Sequence, residues 1–140
     1  MRVGFTASSF DLLHAGHVAM LEESRKNCDY LIVGLNVNPF KNGRYPVQGL
    51  FERFKQLQAV KWVDEIIPYN GENELIEIFN TIHIDVRFIG SDYKNSPFTG
   101  QEINERNHTE IFFNRRDHNF SSSRLKKQVV DNQLEVKEEG

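Results

Sequence analysis

The sequence predicts an α/β fold, a doubly wound parallel sheet in a single domain, and three observations carry that reading. Short apolar runs of strand character alternate with amphipathic helical segments along the chain, the pattern of parallel βαβ units. One run, Tyr30-Leu31-Ile32-Val33-Gly34-Leu35, is continuously apolar, as a strand covered on both faces must be. The chain has 140 residues, room for one core but not for two independent ones. The domain is set at residues 1–130, and residues 131–140 form a charged tail read as a frayed helix end or disorder.

Val3, Phe5 and Ala7 alternate with other residues and give a first strand ending near Ala7. The loop from Ser8 to His14 leads into a helix over about Ala15 to Lys26, with Val18, Leu21 and Arg25 on one face and Met20 close by. After the Tyr30–Leu35 strand, residues 36–45 are polar and broken by Pro39 and Gly43, which predicts a mobile loop. Pro46 starts a helix along which Leu50, Phe54, Leu57 and Lys61 fall at helical spacing, widened by Phe51 and Val60. Ile66 and Ile67 form a short strand closed by Pro68, and Leu75, Ile76, Phe79 and Ile82 mark a further amphipathic helix. Val86, Phe88 and Ile89 make a strand ending in Gly90, followed by a turn-rich loop to Gly100 and one helical turn. Ile111, Phe112 and Phe113 form the last strand, and Ser121-Ser122-Ser123 caps a final helix carrying Leu125 and Val129.

Composition excludes more than it selects. A net charge of -3 leaves no basic face for nucleic acid, although a few cations in one cleft would suffice for small phosphorylated substrates. Cys28 is the only cysteine, so no internal disulfide forms and a reducing compartment is the simpler reading. The N-terminus lacks a signal-peptide pattern and no apolar run is long enough to span a bilayer. A cytoplasmic protein that engages no membrane is expected.

In a doubly wound sheet, ligands bind beyond the C-terminal strand ends near the point where strand order reverses. The loops after Ala7, Leu35, Gly90 and Phe113 fall on that rim, and the chemistry-bearing segments lie in them. The most informative is Ser9-Phe10-Asp11-Leu12-Leu13-His14-Ala15-Gly16-His17. Two histidines three apart at a helix start lie one turn apart on the same side. Gly16 between them lets a bulky ligand approach the backbone. The helix N-terminus adds N–H groups and a positive dipole end, which suit a phosphate. Both imidazoles could donate hydrogen bonds to an α-phosphate as charge develops during in-line attack, without a covalent intermediate. The competing reading is a structural pair or half a zinc site, for which no Cys pair or helix-borne His-Glu set supplies the other ligands. Asp11 is open between bracing its loop and serving the site. Asp92, after Gly90, is open between turn chemistry and a role at the site, accepting a hydrogen bond from a ribose or base or influencing a metal. Ser121 and Ser122 open a helix and with Arg116 could cradle a β- or γ-phosphate and departing pyrophosphate; an N-capped helix with a solvated arginine is the plainer alternative.

This pattern resembles the cytidylyltransferase-like nucleotidyltransferase superfamily, a Rossmann-like fold whose members carry an HxGH motif after the first strand. Arg53 in Phe51-Glu52-Arg53, Trp62-Val63-Asp64-Glu65-Ile66-Ile67-Pro68, Gly90-Ser91-Asp92-Tyr93 and the segment from Arg116 to Ser122 follow in the order seen in glycerol-3-phosphate cytidylyltransferases, so the likeness spans residues 3 to 126. The resemblance implies catalytic roles for His14, His17, Lys41 and Arg116. It implies nucleotide contacts at Ser8, Ser9, Phe10, Asp11, Gly16, Asp92, Ser121 and Ser122, and acceptor contacts at Arg53 and Lys41. Arg44 competes with Lys41, and Arg53 could instead pair with Glu52 or Asp64 as surface charge. Ser8 stands where the family usually has glycine, and His118 and Asn119 replace glutamate and glycine in the last motif. His83 and His108 receive no role. Residues 62–67 correspond to a segment of the relatives' dimer interface, so a homodimer is implied.

The implied reaction transfers CMP from CTP to a small phosphorylated alcohol resembling glycerol 3-phosphate and releases pyrophosphate. Mg²⁺ would be held mainly by the triphosphate, with no protein ligand assigned. Two alternatives stand beside it. One is an adenylyltransferase using ATP and a sugar phosphate such as a heptose phosphate, which Gly90-Ser91-Asp92-Tyr93-Lys94 and Thr99-Gly100 resemble equally. The other is a non-catalytic nucleotide sensor.

Overall fold

The computed structural model describes residues 1–40, 43–115 and 130. Five strands, β1 (Val3–Ser8), β2 (Tyr30–Asn36), β3 (Glu65–Tyr69), β4 (Val86–Gly90) and β5 (Glu110–Asn114), form one sheet in the order β3-β2-β1-β4-β5. Every neighbouring pair is parallel. The helices between them are α1 (Ala15–Lys26), α2 (Leu50–Gln58), α3 (Gly71–Thr81) and α4 (Gln101–Arg106). This is the α/β, Rossmann-like doubly wound sheet expected. The expected final helix, with Leu125 and Val129, and the tail 131–140 lie outside the described residues.

Each strand feeds side chains alternately to two cores. Leu31, Val33 and Leu35 of β2 pack with Leu21 of α1 and Leu57 of α2 on one face. Ile32 packs on the other face with Phe5 of β1 and with Leu75, Ile78 and Phe79 of α3. Fully burying side chains of this size stabilises by about 1.5–3 kcal/mol each, so both layers are fixed mainly by apolar burial.

Strand order reverses between β1 and β4, the point at which open α/β sheets form their ligand crevice. β1 pairs with β2 over its whole length, from Val3–Tyr30 to Ser8–Leu35. With β4 it pairs only at Gly4–Val86 and Phe5–Arg87. Beyond those residues the C-terminal ends of the two strands share no ladder.

Several boundaries differ from expectation, each for a physical reason. The helix expected from Pro46 begins only at Leu50, because the N–H groups of Val47 and Gln48 donate to the Asp11 carboxylate instead of entering a helix. Phe51 is 76% exposed, and the buried face of α2 is Arg53 and Leu57. β3 runs through Pro68 rather than stopping there, which is tolerated because β3 is an edge strand. On α1 the buried residues are Gly16, Leu21 and Ser24, while Val18 is exposed. On α3, Ile78 joins Leu75 and Phe79 in the core, and Ile82, which packs against it, ends the helix as its C-cap.

Candidate active site

The loop from β1 to α1 is held in a conformation its own residues disfavour. Phe10 and Leu12 have φ of 49° and 51°, the left-handed region, at a cost of roughly 1–2 kcal/mol apiece for non-glycine residues. Three contacts offset it. Phe10 is completely buried in the α1 face core with its ring 5.4 Å from that of His17. Asp11 accepts from the N–H groups of Val47 and Gln48 at 2.8 and 3.0 Å, and the Gln48 side chain accepts from Leu12 N at 2.9 Å.

Arg53 completes the brace. It is 1% exposed, and its guanidinium donates to four backbone carbonyls. Nε bonds Gln48 O at 3.1 Å, Nη1 bonds Ser9 O at 3.0 Å and Asn36 O at 2.6 Å, and Nη2 bonds Val37 O at 2.8 Å. One buried side chain thus ties together the loops after β1 and β2 and the approach to α2. Burial pulls its pKa below the usual guanidinium range, and the nearby Asp11 charge opposes that shift. Neither expected surface partner is used: Asp64 instead bonds Arg25 Nε and Leu31 N, both at 2.8 Å. Through these four carbonyls Arg53 acts as a scaffold for the rim.

On this scaffold sit the two histidines. His14 is the N-cap of α1, and its Nδ1 accepts from Gly16 N at 3.0 Å. His17, one turn on, returns the bond: its Nδ1 accepts from His14 N at 3.2 Å. The pair forms a capping box made from imidazoles, with rings stacked at 3.9 Å and 23°. A nitrogen that accepts a hydrogen bond carries no proton. Both neutral rings are therefore Nε2–H tautomers, with their N–H donors on the edges away from the cap. No acidic residue lies in the first turn of α1 to oppose an anion at its positive end. Gly16, between the two histidines in sequence, is buried.

The other site residues fall as follows. Ser8 ends β1, paired with Leu35, and Ser9 contributes its carbonyl to Arg53. Asp92 is exposed on a single 3₁₀ turn, Ser91–Tyr93, that leaves β4 on the same C-terminal rim. Arg44 is exposed. Lys41, Arg116, Ser121 and Ser122 lie outside the described residues. His83, given no role, sits 2.9 Å from Asp85, and His108 occupies a left-handed position with φ of 58°. Gln48 was missed because a glutamine before a helix carries no signal of its partner 36 residues away. Arg87 was missed too, although an arginine inside the apolar run of β4 was a visible anomaly.

A strand-order switch point with an imidazole-capped helix beside it is the α/β arrangement in which open parallel sheets commonly take phosphate-bearing ligands. The chain belongs to the cytidylyltransferase-like nucleotidyltransferase superfamily, as a family model described as cytidylyltransferase-like matches residues 5–128. Among curated proteins it is 36% identical over 107 residues to the bifunctional protein HldE of Gluconacetobacter diazotrophicus, covering 74% of this chain and 22% of that protein. It is 39% identical over 107 residues to the protein of the same name from Rhodopseudomonas palustris, with the same coverages. The chain thus spans about a fifth of the length of these relatives. Among solved structures, the lipopolysaccharide core biosynthesis protein of Thermoplasma volcanium superposes with a TM-score of 0.70 at 22% identity, over 84% of this chain and 99% of that one. Pantothenate synthetase of Thermus thermophilus superposes at 0.59 and 17% identity, over 91% of this chain and 64% of that one. These two likenesses establish the shared fold. Among the described residues no helix is long and apolar enough to cross a membrane.

Proposed function

We propose that the chain is an adenylyltransferase acting on a sugar phosphate of the heptose-phosphate kind. An oxygen of the acceptor phosphate bonds to the α-phosphorus of ATP, the bond from that phosphorus to the bridging oxygen breaks, and pyrophosphate departs. The observation that carries the reading is the imidazole capping box, whose Nε2–H edges can donate to α-phosphate oxygens as their charge grows. The HldE relatives, 36% and 39% identical, and the resemblance of Gly90-Ser91-Asp92-Tyr93-Lys94 and Thr99-Gly100 to sugar-phosphate adenylyltransferases favour this branch.

Asp11 and Arg53 hold the rim loops in register, while Lys41 aligns the joined phosphates and Arg116 with Ser121 and Ser122 holds the leaving group. Asp92 and the backbone of Ser8, Ser9 and Phe10 line the nucleotide side. Mg²⁺ is placed in this reading mainly on the triphosphate oxygens, since it favours phosphates and water over an all-protein cage. Bound there, it would neutralise charge on the departing pyrophosphate. A cytoplasmic homodimer is part of this reading, open to sedimentation and fractionation.

A second reading, CMP transfer from CTP to glycerol 3-phosphate, is favoured by the order of the Arg53, Trp62–Pro68 and Gly90–Tyr93 motifs. Pyrophosphate release, measured with ATP or CTP against sugar 1-phosphates and glycerol 3-phosphate, separates the two. Turnover is expected with ATP and a sugar phosphate. Turnover confined to CTP and glycerol 3-phosphate would move the assignment to the second reading, and nucleotide binding without release would make the chain a sensor.

A further inference from the structure

Arg87 is a buried cation that no ion pair explains. It lies on β4, beside Phe5 of β1, with only 7% of its surface exposed. Among the described residues it joins no salt bridge. Burial lowers its pKa to about 10, and among the described residues the Tyr69 phenol opposes that shift. An aliphatic residue would fill the same space without the cost of desolvating a charge.

What the guanidinium touches gives the reason. Nη1 donates to the carbonyl of Thr99 and, at 2.9 Å, to Oδ1 of Asn104. Its plane lies against two rings, with the Phe79 centroid at 4.6 Å and the Phe98 centroid at 5.1 Å. Asn104 is itself 1% exposed, and among the described residues its Nδ2 has no partner, so its amide is placed for the arginine rather than for its own satisfaction. Gly100 makes the close approach possible. It has φ of 82°, and a Cβ there would stand 2.7 Å from a Phe79 ring carbon.

These contacts join two points 12 residues apart. Between them the chain runs up to the C-terminal end of β4, turns through Ser91–Tyr93 on the rim, and returns. We infer that Arg87 is a positioning residue, which closes the base of this excursion and so holds Asp92 and Tyr93 against the nucleotide side of the crevice. It never touches substrate and acts through Thr99, Phe98 and Asn104. The inference rests on the proposed function only in taking a nucleotide as the ligand.

Amide hydrogen exchange and nucleotide calorimetry, run on the full chain, test it together. Arg87→Met keeps an apolar stem between the rings and removes the donors. It should raise exchange over residues 91–104 about tenfold or more, leave β1 and β2 protected, and weaken nucleotide binding about tenfold. Turnover at saturating nucleotide should stay within about twofold of the parent. Arg87→Lys, which keeps one donor, should recover part of both effects, and it carries the comparison if Arg87→Met does not fold. Unchanged exchange over 91–104, protection lost evenly across the chain, or unaltered nucleotide affinity would each overturn the inference. If the parent chain binds neither ATP nor CTP, the proposed function fails instead, and the exchange pattern still decides whether the clamp exists.

Discussion

Arg53 donates from Nη1 to the carbonyl of Ser9, 3.0 Å away and 44 residues earlier in the chain. The same nitrogen bonds Asn36 O, so the loops that follow β1 and β2 share one buried donor. Replacing Arg53 with methionine removes the donor shared by the partly buried carbonyls of Ser9, Gln48, Asn36 and Val37. The expected loss is about 3 kcal/mol of stability, read by urea denaturation. Arg53→Lys should recover less than half, because an ammonium cannot span the same four acceptors. A change near zero for Arg53→Met would remove the brace.

The cap and the chemistry of His14 are separable. Asparagine is a strong N-cap, so His14→Asn can still accept from Gly16 N. Stability should stay within about 0.5 kcal/mol of the parent, while turnover falls about 100-fold through loss of one Nε2–H donor. Equal turnover in the two proteins would reduce His14 to a cap.

His108 ends α4 in the left-handed region, and its N–H bonds Glu105 O at 3.1 Å. The side chain is exposed, so little packing is at stake. Glycine suits that conformation, and His108→Gly should raise stability by about 0.5–1 kcal/mol, seen as a higher melting temperature. A lower melting temperature would show that the imidazole contributes more than its strained backbone costs.

Asp85 accepts from Val3 N at 2.8 Å and sits against His83, tying the start of β1 to that of β4. The Val3 hydrogen bond, chiefly, holds its pKa below the ordinary 3.8. A depressed carboxylate pKa stabilises the fold above the unfolded value, and the benefit disappears as pH falls through the folded one. Asp85→Ala should therefore cost about 1 kcal/mol at pH 7, with the gap closing below pH 3.8. A gap independent of pH would assign the loss to packing.

Much of the fold was legible because it is written in local patterns. The continuous apolar run of β2 announced a doubly covered strand, and the helical spacing of Leu75 and Phe79 announced α3. The histidine pair was legible for the same reason, since three-residue spacing at a helix start fixes relative position. What stayed hidden depends on contacts between distant residues. Nothing near Pro46 reveals that Asp11 will take the N–H groups of Val47 and Gln48 and delay α2 to Leu50. Likewise, an arginine on a helix reads as solvated until the fold surrounds Arg53 with carbonyls. The tautomers followed only from geometry, once both Nδ1 atoms were seen to accept backbone N–H groups.

Steady-state pyrophosphate release by His17→Ala, with nucleotide affinity measured alongside, tests the proposed role of the imidazole pair most directly. The expected result is a turnover number about 100- to 1,000-fold below the parent, with nucleotide affinity little changed and the fold intact. Turnover equal to the parent's in that variant would contradict the mechanism.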